Sequence, residues 1–300
     1  MPSAVQESES RCSGRPVSVS VVVLTRNGGQ LFRRVLNALM KQRTPFEYEV
    51  IVVDSGSSDG CCEYARRSGA RVYEVSPRDF SFGTTRDLGF GLARGGVIAT
   101  ISQDALPVGS SWLVDLVGPC LRGEAVVQGL FVLPRETTGV FFWERDGRFW
   151  FTTEGEVFFR KVGGVGLSCA HMAIRRDAWL AARFAGAPYC EDKLLQQRLW
   201  EMGVRVAMSD AVVEHAHAYS FKSLVTRCYM EGVGWSFVDT RYEMSHLVRD
   251  LTNGEIWSTW AKALTRGHLR SVAEVLFPLV RPVCLYLGFT LGRMGFCKCT

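Results

Sequence analysis

Val17-Ser-Val-Ser-Val-Val-Val-Leu24 runs into Thr25-Arg26-Asn27-Gly28-Gly29, and Tyr48-Glu-Val-Ile-Val-Val53 runs into Asp54-Ser-Gly-Ser-Ser-Asp59-Gly60. Each begins as a β-branched apolar run, the pattern of a strand buried on both faces, and each stops in small polar residues. Between the two, Leu31, Val35, Leu36 and Leu39 recur at helical spacing. Further along come a helical pattern to Gly69, a strand Arg71-Val-Tyr-Glu-Val75, a helical pattern over 84–94, and a strand Val97-Ile-Ala-Thr-Ile-Ser102 that ends at Gln103-Asp104. Four alternations of strand and helix predict an α/β fold, a parallel sheet with helices on both faces. Ligands of such sheets sit beyond the carboxyl ends of the strands, which is where residues 25–27, 54–59 and 103–104 fall.

The rest of the chain is less regular. Residues 126–169 are rich in Phe, Trp and Gly and read as mixed strands and loops of an acceptor-side half. Residues 175–200 have a helical pattern broken by Gly186-Ala-Pro188, and Val204-Arg-Val-Ala-Met208 reads as a short strand. Residues 272–294 are apolar, with interruptions at Glu274, Pro278, Arg281 and Pro282. The uncharged run 282–292 is too short to span a bilayer, so two readings stand: an interfacial helix or hairpin, or a helix docked on the core. The expected organisation is a disordered tail at 1–15, a catalytic domain at 16–260 divided into a nucleotide-binding half (16–110) and an acceptor half (111–260), and a basic amphipathic tail at 261–300.

Composition narrows the class. The 300 residues are 47% hydrophobic and 22% charged, which suits a globular protein with a sizeable core. The net charge of +5 is carried by residues 261–300, where Lys262, Arg266, Arg270, Arg281, Arg293 and Lys298 face one acid, Glu274. The balanced remainder lacks the basic stripe of a nucleic-acid binder. Ten cysteines with no CxxC pair exclude a zinc ribbon and suit free thiols in a reducing cytoplasm. Met1 to Gly14 has no apolar core of a signal peptide. The ending Cys297-Lys298-Cys299-Thr300 lacks the aliphatic residues of a prenylation box.

Several polar groups can carry chemistry. Asp54 at a strand end can accept bonds from a base or ribose, while Gly56 and Ser57 let backbone amides approach closely; the same residues also make an ordinary turn with Asp59 as helix cap. Asp104 could hold a divalent cation against a diphosphate, or simply close a turn. Glu191-Asp192 opens a helical segment, so it is either a dipole-favoured cap or the source of a general base. His215-Ala216-His217 puts two imidazoles on one face of an extended segment, a pattern that either ligates metal or is structural.

Taken in order, these pieces resemble glycosyltransferase family 2. The resemblance rests on Val21-Val-Val-Leu-Thr25-Arg-Asn27, Val52-Val-Asp54-Ser-Gly-Ser-Ser-Asp59-Gly60, Thr85-Arg86-Asp87-Leu-Gly89, Ser102-Gln-Asp104-Ala-Leu-Pro107, Glu191-Asp192 and Val213-Glu-His215. It covers roughly residues 17–220. Ser-Gln-Asp-Ala in place of Asp-x-Asp, Trp112-Leu113, His215-Ala-His217-Ala-Tyr219-Ser220 and Arg227-Cys-Tyr-Met-Glu-Gly232 look like bacterial rhamnosyltransferases.

The resemblance implies a GT-A fold and an inverting sugar transfer from a nucleoside diphosphate, best matched by dTDP-rhamnose, to a glycan or lipid-linked acceptor in cell-surface polysaccharide (O-antigen) synthesis. It implies that Thr25, Arg26, Asn27 and Gln103 frame the nucleotide and that Asp54 holds its pyrimidine or ribose. Arg86 would face the base or diphosphate. Asp104 and His215 would hold Mg²⁺ or Mn²⁺, and Asp192, with Glu191 beside it, would supply the base. Ser102 replaces the family's first metal-site acid, so a metal site has one carboxylate fewer. The implied location is the cytoplasm, at the inner face of the cell membrane, with peripheral contact through the tail. Two alternatives share the fold: a UDP-hexose or UDP-HexNAc transferase, and a non-catalytic nucleotide-sugar-binding scaffold subunit. A sugar-nucleotide pyrophosphorylase would need a Lys in the first loop, which Thr25-Arg-Asn-Gly-Gly29 lacks.

Overall fold

The computed structural model describes residues 16–135, 139–146, 153–184 and 188–295. The expected tail at 1–15, the break at Gly186-Ala187 and the four-residue C-terminal ending lie outside the described residues. The chain divides into two compact units. The first takes residues up to 132, then 165–186 and 198–215; the second takes 133–164, 187–197 and 216 onward.

The first unit holds every strand among the described residues. In chain order it contains β1 (Val19–Thr25), α1 (Gly29–Met40), β2 (Tyr48–Asp54), α2 (Cys61–Arg67), β3 (Arg71–Glu74), α3 (Phe82–Leu92), β4 (Val97–Ser102), β5 (Leu106–Pro107), α4 (Trp112–Leu121) and β6 (Val126–Val132). After α5 (Phe142–Asp146) and α6 (Thr153–Lys161) of the second unit come β7 (His171–Arg175) and α7 (Arg176–Ala182). Next is α8 (Glu191–Glu201), whose first seven residues belong to the second unit, followed by β8 (Ala207–Glu214). The sheet order is β3-β2-β1-β4-β7-β6-β8-β5. β1 to β4 are mutually parallel where they pair, while β7 runs antiparallel to both β4 and β6. The chain steps from β1 outward to β2 and β3, then returns to place β4 on the other side of β1, so β1 is a topological switch point.

The physical cause is the buried pattern already visible in the chain. Val19, Val21, Val22 and Val23 are fully buried, as a strand between two helical layers must be. On α1, Phe32, Val35, Leu36 and Leu39 form one buried stripe against it, worth about 2 kcal/mol per side chain. Among the described cysteines, seven are free thiols and five of these are buried. Burial pushes Cys61 up to about 11 and Cys62 up to about 12, so both stay protonated.

Two local expectations change. The strand expected at 204–208 begins at Ala207 and runs to Glu214. Val204 is used in ending α8: its N–H bonds Leu199 O at 2.8 Å, after Gly203 turns the chain at φ 79°. The segment 126–169 keeps the strand β6 but also forms the helices α5 and α6, because Phe141, Phe142 and Trp143 cluster on Phe277 rather than alternating across a sheet.

The second unit continues with α9 (Phe221–Trp235), α10 (Met244–Leu251), α11 (Gly254–Thr265) and α12 (Val272–Arg293). α9 and α12 touch backbone to backbone. A Cβ on Gly232 would lie 2.1 Å from Leu285 O, and one on Gly288 would lie 2.0 Å from Tyr229 O. α12 is one helix through both prolines, and its interruptions are absorbed inward. Glu274 is buried and accepts from the N–H groups of Phe142 (3.0 Å) and Arg270 (2.6 Å), while Arg281 pairs with Glu231 on α9.

Candidate active site

The carboxyl ends of β2, β1 and β4 lie side by side, with Thr25 in register with Asp54 and Leu24 with Ser102. Asp54 is buried at the end of β2. Its Oδ1 accepts from the N–H groups of Gly56 (2.9 Å) and Ser57 (2.8 Å), and its Oδ2 accepts from the Ser57 hydroxyl. This folds the small residues into a tight turn that a longer side chain would block.

The loop after β1 is locked to this turn. Asn27 N–H donates to Ser57 Oγ (2.8 Å), and Asn27 Oδ1 accepts from Ser58 N–H (2.8 Å). Asn27 stands at φ 47°, a left-handed conformation that asparagine tolerates. On the other side, Thr25 Oγ1 (2.8 Å) and Arg26 N–H (3.0 Å) both donate to Gln103 Oε1. Seven of the expected nucleotide-site residues thus form one hydrogen-bonded edge: Thr25, Arg26, Asn27, Asp54, Gly56, Ser57 and Gln103. The side chains of Arg26 and Asn27 are exposed there.

Asp104 follows directly. Ser102, where the family has an acid, donates its hydroxyl to Asp104 Oδ1. His215 Nε2 stands 3.3 Å from the same oxygen. The backbone of His215 is fixed by its N–H donating to Val132 O (3.0 Å), and its imidazole packs 5.6 Å from the Phe131 ring. A carboxylate oxygen and an imidazole nitrogen converging this closely form a donor set suited to a divalent cation that keeps waters or phosphate oxygens as its other ligands. Arg86 lies deeper: it is buried on α3, and its Nη1 donates to Thr100 Oγ1 in β4 (3.0 Å).

Behind His215 is a residue that sequence reasoning did not single out. His171 is fully buried on β7, accepts a 2.8 Å bond from Trp112 Nε1 at Nε2, and meets the edge of the Phe131 ring. Burial lowers its pKa to about 3, so it stays neutral. Its ring occupies the space over Gly129, where a Cβ would lie 2.1 Å from Cε1. Asp87 was legible only as part of a motif. Its Oδ1 accepts from Trp179 Nε1 (2.8 Å) and Phe184 N–H (3.2 Å), pinning α7 and the turn after it.

The second unit carries the paired acids. Cys190, at φ 55°, accepts from the N–H groups of Lys193 (3.0 Å) and Leu194 (3.2 Å) and so starts α8. Glu191 is buried, whereas Asp192 is partly exposed. Asp192 Oδ1 accepts from Lys193 N–H (2.8 Å), and its Oδ2 is 3.4 Å from Lys193 Nζ. Asp192 thus bonds within the first turn of its own helix and keeps a carboxylate oxygen beside an ammonium. His217 is held by Glu144, through Nδ1 to Oε1 (2.6 Å) and through its own N–H to Oε2 (2.7 Å). No spacing pattern in the aromatic-rich segment flagged Glu144.

Comparison with known proteins accords with this arrangement. The sequence model for Glycosyl transferase family 2 matches residues 20–184. The chain is 26% identical over 232 residues to the O-antigen chain rhamnosyltransferase RfbN of Salmonella typhimurium, covering 72% of each. A stretch of 116 residues is 33% identical to the glycosyltransferase AglE of Haloferax volcanii, covering 33% of this chain and 38% of that protein. Among solved structures, the glucosyl-3-phosphoglycerate synthase of Mycobacterium tuberculosis, in complex with Mn²⁺, UDP and glucosyl-3-phosphoglycerate, superposes with a TM-score of 0.57 at 21% identity. That match covers 74% of this chain and 78% of that one.

Proposed function

Because the chain belongs to glycosyl transferase family 2 and is a glycosyltransferase of GT-A fold, its chemistry begins with a nucleotide sugar, and we propose that it inverts the anomeric centre of rhamnose in transfer from dTDP-rhamnose to a glycan or lipid-linked acceptor of cell-surface polysaccharide. The observation that carries the reading is the register of Thr25 with Asp54 beside the Asp104–His215 contact: a polar nucleotide cradle adjoining a place for phosphate charge. The named relative adds rhamnose as the sugar.

In this mechanism the exposed Arg26 and Asn27 and the carboxylate of Asp54 hold the nucleoside. As the sugar leaves, negative charge grows on the departing diphosphate. The buried guanidinium of Arg86, two residues short of the strand end through Thr100, adds a positive field there. Asp104 and His215 would hold Mg²⁺ or Mn²⁺, which would neutralise that charge when bound. Ser102 does not supply a ligand charge; its hydroxyl orients Asp104. Asp192 takes the proton from the acceptor hydroxyl as that oxygen attacks the face opposite the leaving group. Asp192→Asn keeps the carboxamide shape but removes the base. The expected outcome is donor binding within about threefold of wild type and transfer lowered by at least 10²-fold, on the scale of lost general-base catalysis. Transfer at the wild-type rate would remove Asp192 from this role.

The cytoplasmic face of the membrane is the proposed workplace. α12 is long and apolar enough, by length and composition, to cross a bilayer, yet its contacts with α9 and α5 suit a helix lying at the surface. Its outward positions Val272, Val275, Leu279, Val283 and Leu287 are all apolar and all exposed. A helix face meant for water alternates with charges; this stripe has them only near its ends, at Arg270 and Arg293. An anionic lipid surface satisfies both features, each nearby cation adding roughly 1 kcal/mol.

A further inference from the structure

β6 and β8 do not keep one register. Val127 and Gln128 stand opposite Ala207 and Met208, but Leu130, Phe131 and Val132 stand opposite Val212, Val213 and Glu214. Three residues of β8 thus face one residue of β6, Gly129. A shift of one residue would turn every later side chain of β8 to the other face, whereas a shift of two keeps the faces and moves the strand along its axis. At the rise of a strand the movement is about 6.6 Å. Without it Val132 would stand opposite Val212, and His215 would lie two residues farther along, out of reach of Asp104. With it His215 N–H meets Val132 O (3.0 Å), and the same strand end pairs with β5, Leu106 opposite Glu214. The 3.3 Å approach of His215 Nε2 to Asp104 Oδ1 depends on this shift.

The shift is held by two buried polar side chains, Gln128 and His171, to which sugar transfer itself gives no role. Gln128 Nε2 donates to Gly129 O (2.9 Å) and His171 O (2.8 Å), and its Oε1 accepts from Ser168 N–H (2.7 Å). One side chain thus ties the interruption in β6 to the start of β7. A Cβ on Gly129 would fall within 2.6 Å of three His171 ring atoms, so the imidazole fills the space that a side chain there would take. The ring is fixed in turn by Trp112, which donates Nε1–H to its Nε2 (2.8 Å). Phe131 bridges the two imidazoles, its ring centre 5.7 Å from that of His171 and 5.6 Å from that of His215. The turn entering β7 reaches the other ligand as well. Ala170 O accepts from Ser102 N–H (3.0 Å), and the Ser102 hydroxyl donates to Asp104. Irregular pairing beside a site is a common means of re-aiming a side chain.

We propose that Gln128, Gly129 and His171 are positioning residues of the cation site: they hold the two-residue shift that sets His215 against Asp104. The proposal rests on reading Asp104 and His215 as ligands of Mg²⁺ or Mn²⁺. None of the three is itself a ligand; each acts through the backbone of β6 and β8. A site with one carboxylate fewer, as Ser102 makes it, depends the more on where its imidazole is placed.

The test follows Mn²⁺ binding to the full chain by electron paramagnetic resonance in the presence of dTDP, with dTDP binding in EDTA measured alongside. His171→Ala empties the space over Gly129 and is expected to weaken Mn²⁺ at least tenfold, the scale of losses behind a metal ligand, with dTDP binding in EDTA within about threefold of wild type. His171→Phe keeps a ring there and is expected to hold Mn²⁺ within about threefold of wild type. Gln128→Met keeps the length but not the bonds, and is expected to lose at least tenfold. In a His215→Ala background His171→Ala is expected to cost no more than about twofold, since the residue it positions is gone. The proposal is overturned by wild-type Mn²⁺ affinity in His171→Ala and Gln128→Met, by a His171→Phe loss as large as that of His171→Ala, or by equal His171→Ala losses with and without His215. Loss of dTDP binding in EDTA together with Mn²⁺ would assign these residues to the fold alone and overturn it as well. A wild-type chain that binds dTDP but no Mn²⁺ would sink the reading of the cation site, and the proposal with it.

Discussion

At the scale of single residues, the site is an arrangement of short polar side chains that bind one another before they bind a ligand. Asp54 shapes its own turn, Ser57 relays that turn to Asn27, and Gln103 ties Thr25 to the next strand. Such a cradle is set in place by the protein itself, which spares the ligand the cost of ordering it. His171 sharpens the same point from behind. An unfolded histidine takes up a proton near pH 6.5, whereas the buried one stays neutral down to about 3. The unfolded chain therefore binds more protons over that window, and stability falls as pH drops from 6.5 toward 3, by about 2 kcal/mol at pH 5. Denaturant unfolding at pH 7 and pH 5 should show that loss, and His171→Gln should remove most of it. An unchanged slope in the variant would assign the acid sensitivity elsewhere. The polar strand ends were legible because β-branched runs that stop in Gly, Ser, Asp and Asn mark where the strands of a parallel sheet terminate. His171 and Glu144 were not, because a lone His in an apolar run and a Glu among aromatic residues carry no spacing signal; only the fold brings Gly129, Phe131 and Trp112 around the first and His217 to the second.

At the scale of elements, the parallel half of the sheet follows from uninterrupted β-branched runs, and four strands were readable from them. The antiparallel insertion of β7 between β4 and β6 was not, since pairing partners far apart in sequence leave no local trace. The helices α9 and α12 teach a different lesson. Their apolar residues were visible, but the contact depends on Gly232 and Gly288, where each backbone comes within a Cβ of the other. Gly232→Ala should force the pair apart and destabilise the chain by roughly 1–3 kcal/mol, as overpacking does. Thermal unfolding reads this as a fall in Tm, and a Tm equal to wild type would mean that the helices meet elsewhere. The prolines at 278 and 282 suggested an interruption from sequence alone. The helix nonetheless runs through them, with both proline rings buried.

At the scale of the whole molecule, the outward stripe of α12 is apolar and exposed, and the exposed cations Arg266, Arg270 and Arg293 flank it in the chain. Sedimentation with vesicles tests its occupant. Wild type is expected to bind vesicles containing anionic lipid and to bind neutral vesicles much less. Leu279→Asp combined with Val283→Asp and Leu287→Asp is expected to weaken binding at least tenfold. Binding unaffected by these changes would detach the tail from the membrane, and a wild-type dimer that the triple variant splits would give the stripe to a second copy of the chain. The balanced charge of the remaining chain agrees with a catalytic body that handles a small anionic donor locally rather than a long polyanion.

The donor is the centre of the account, and thermal unfolding of the full chain with a panel of dTDP-, UDP- and GDP-sugars, with Mg²⁺ and with EDTA, tests it most directly. A ligand at a hundred times its Kd stabilises the folded state by about 2.7 kcal/mol, a rise of several degrees for a chain of this size. The account predicts that dTDP-rhamnose gives the largest rise, that UDP-sugars give a smaller one, and that EDTA reduces both. Stabilisation by GDP-sugars alone, or by none of the panel, would contradict it.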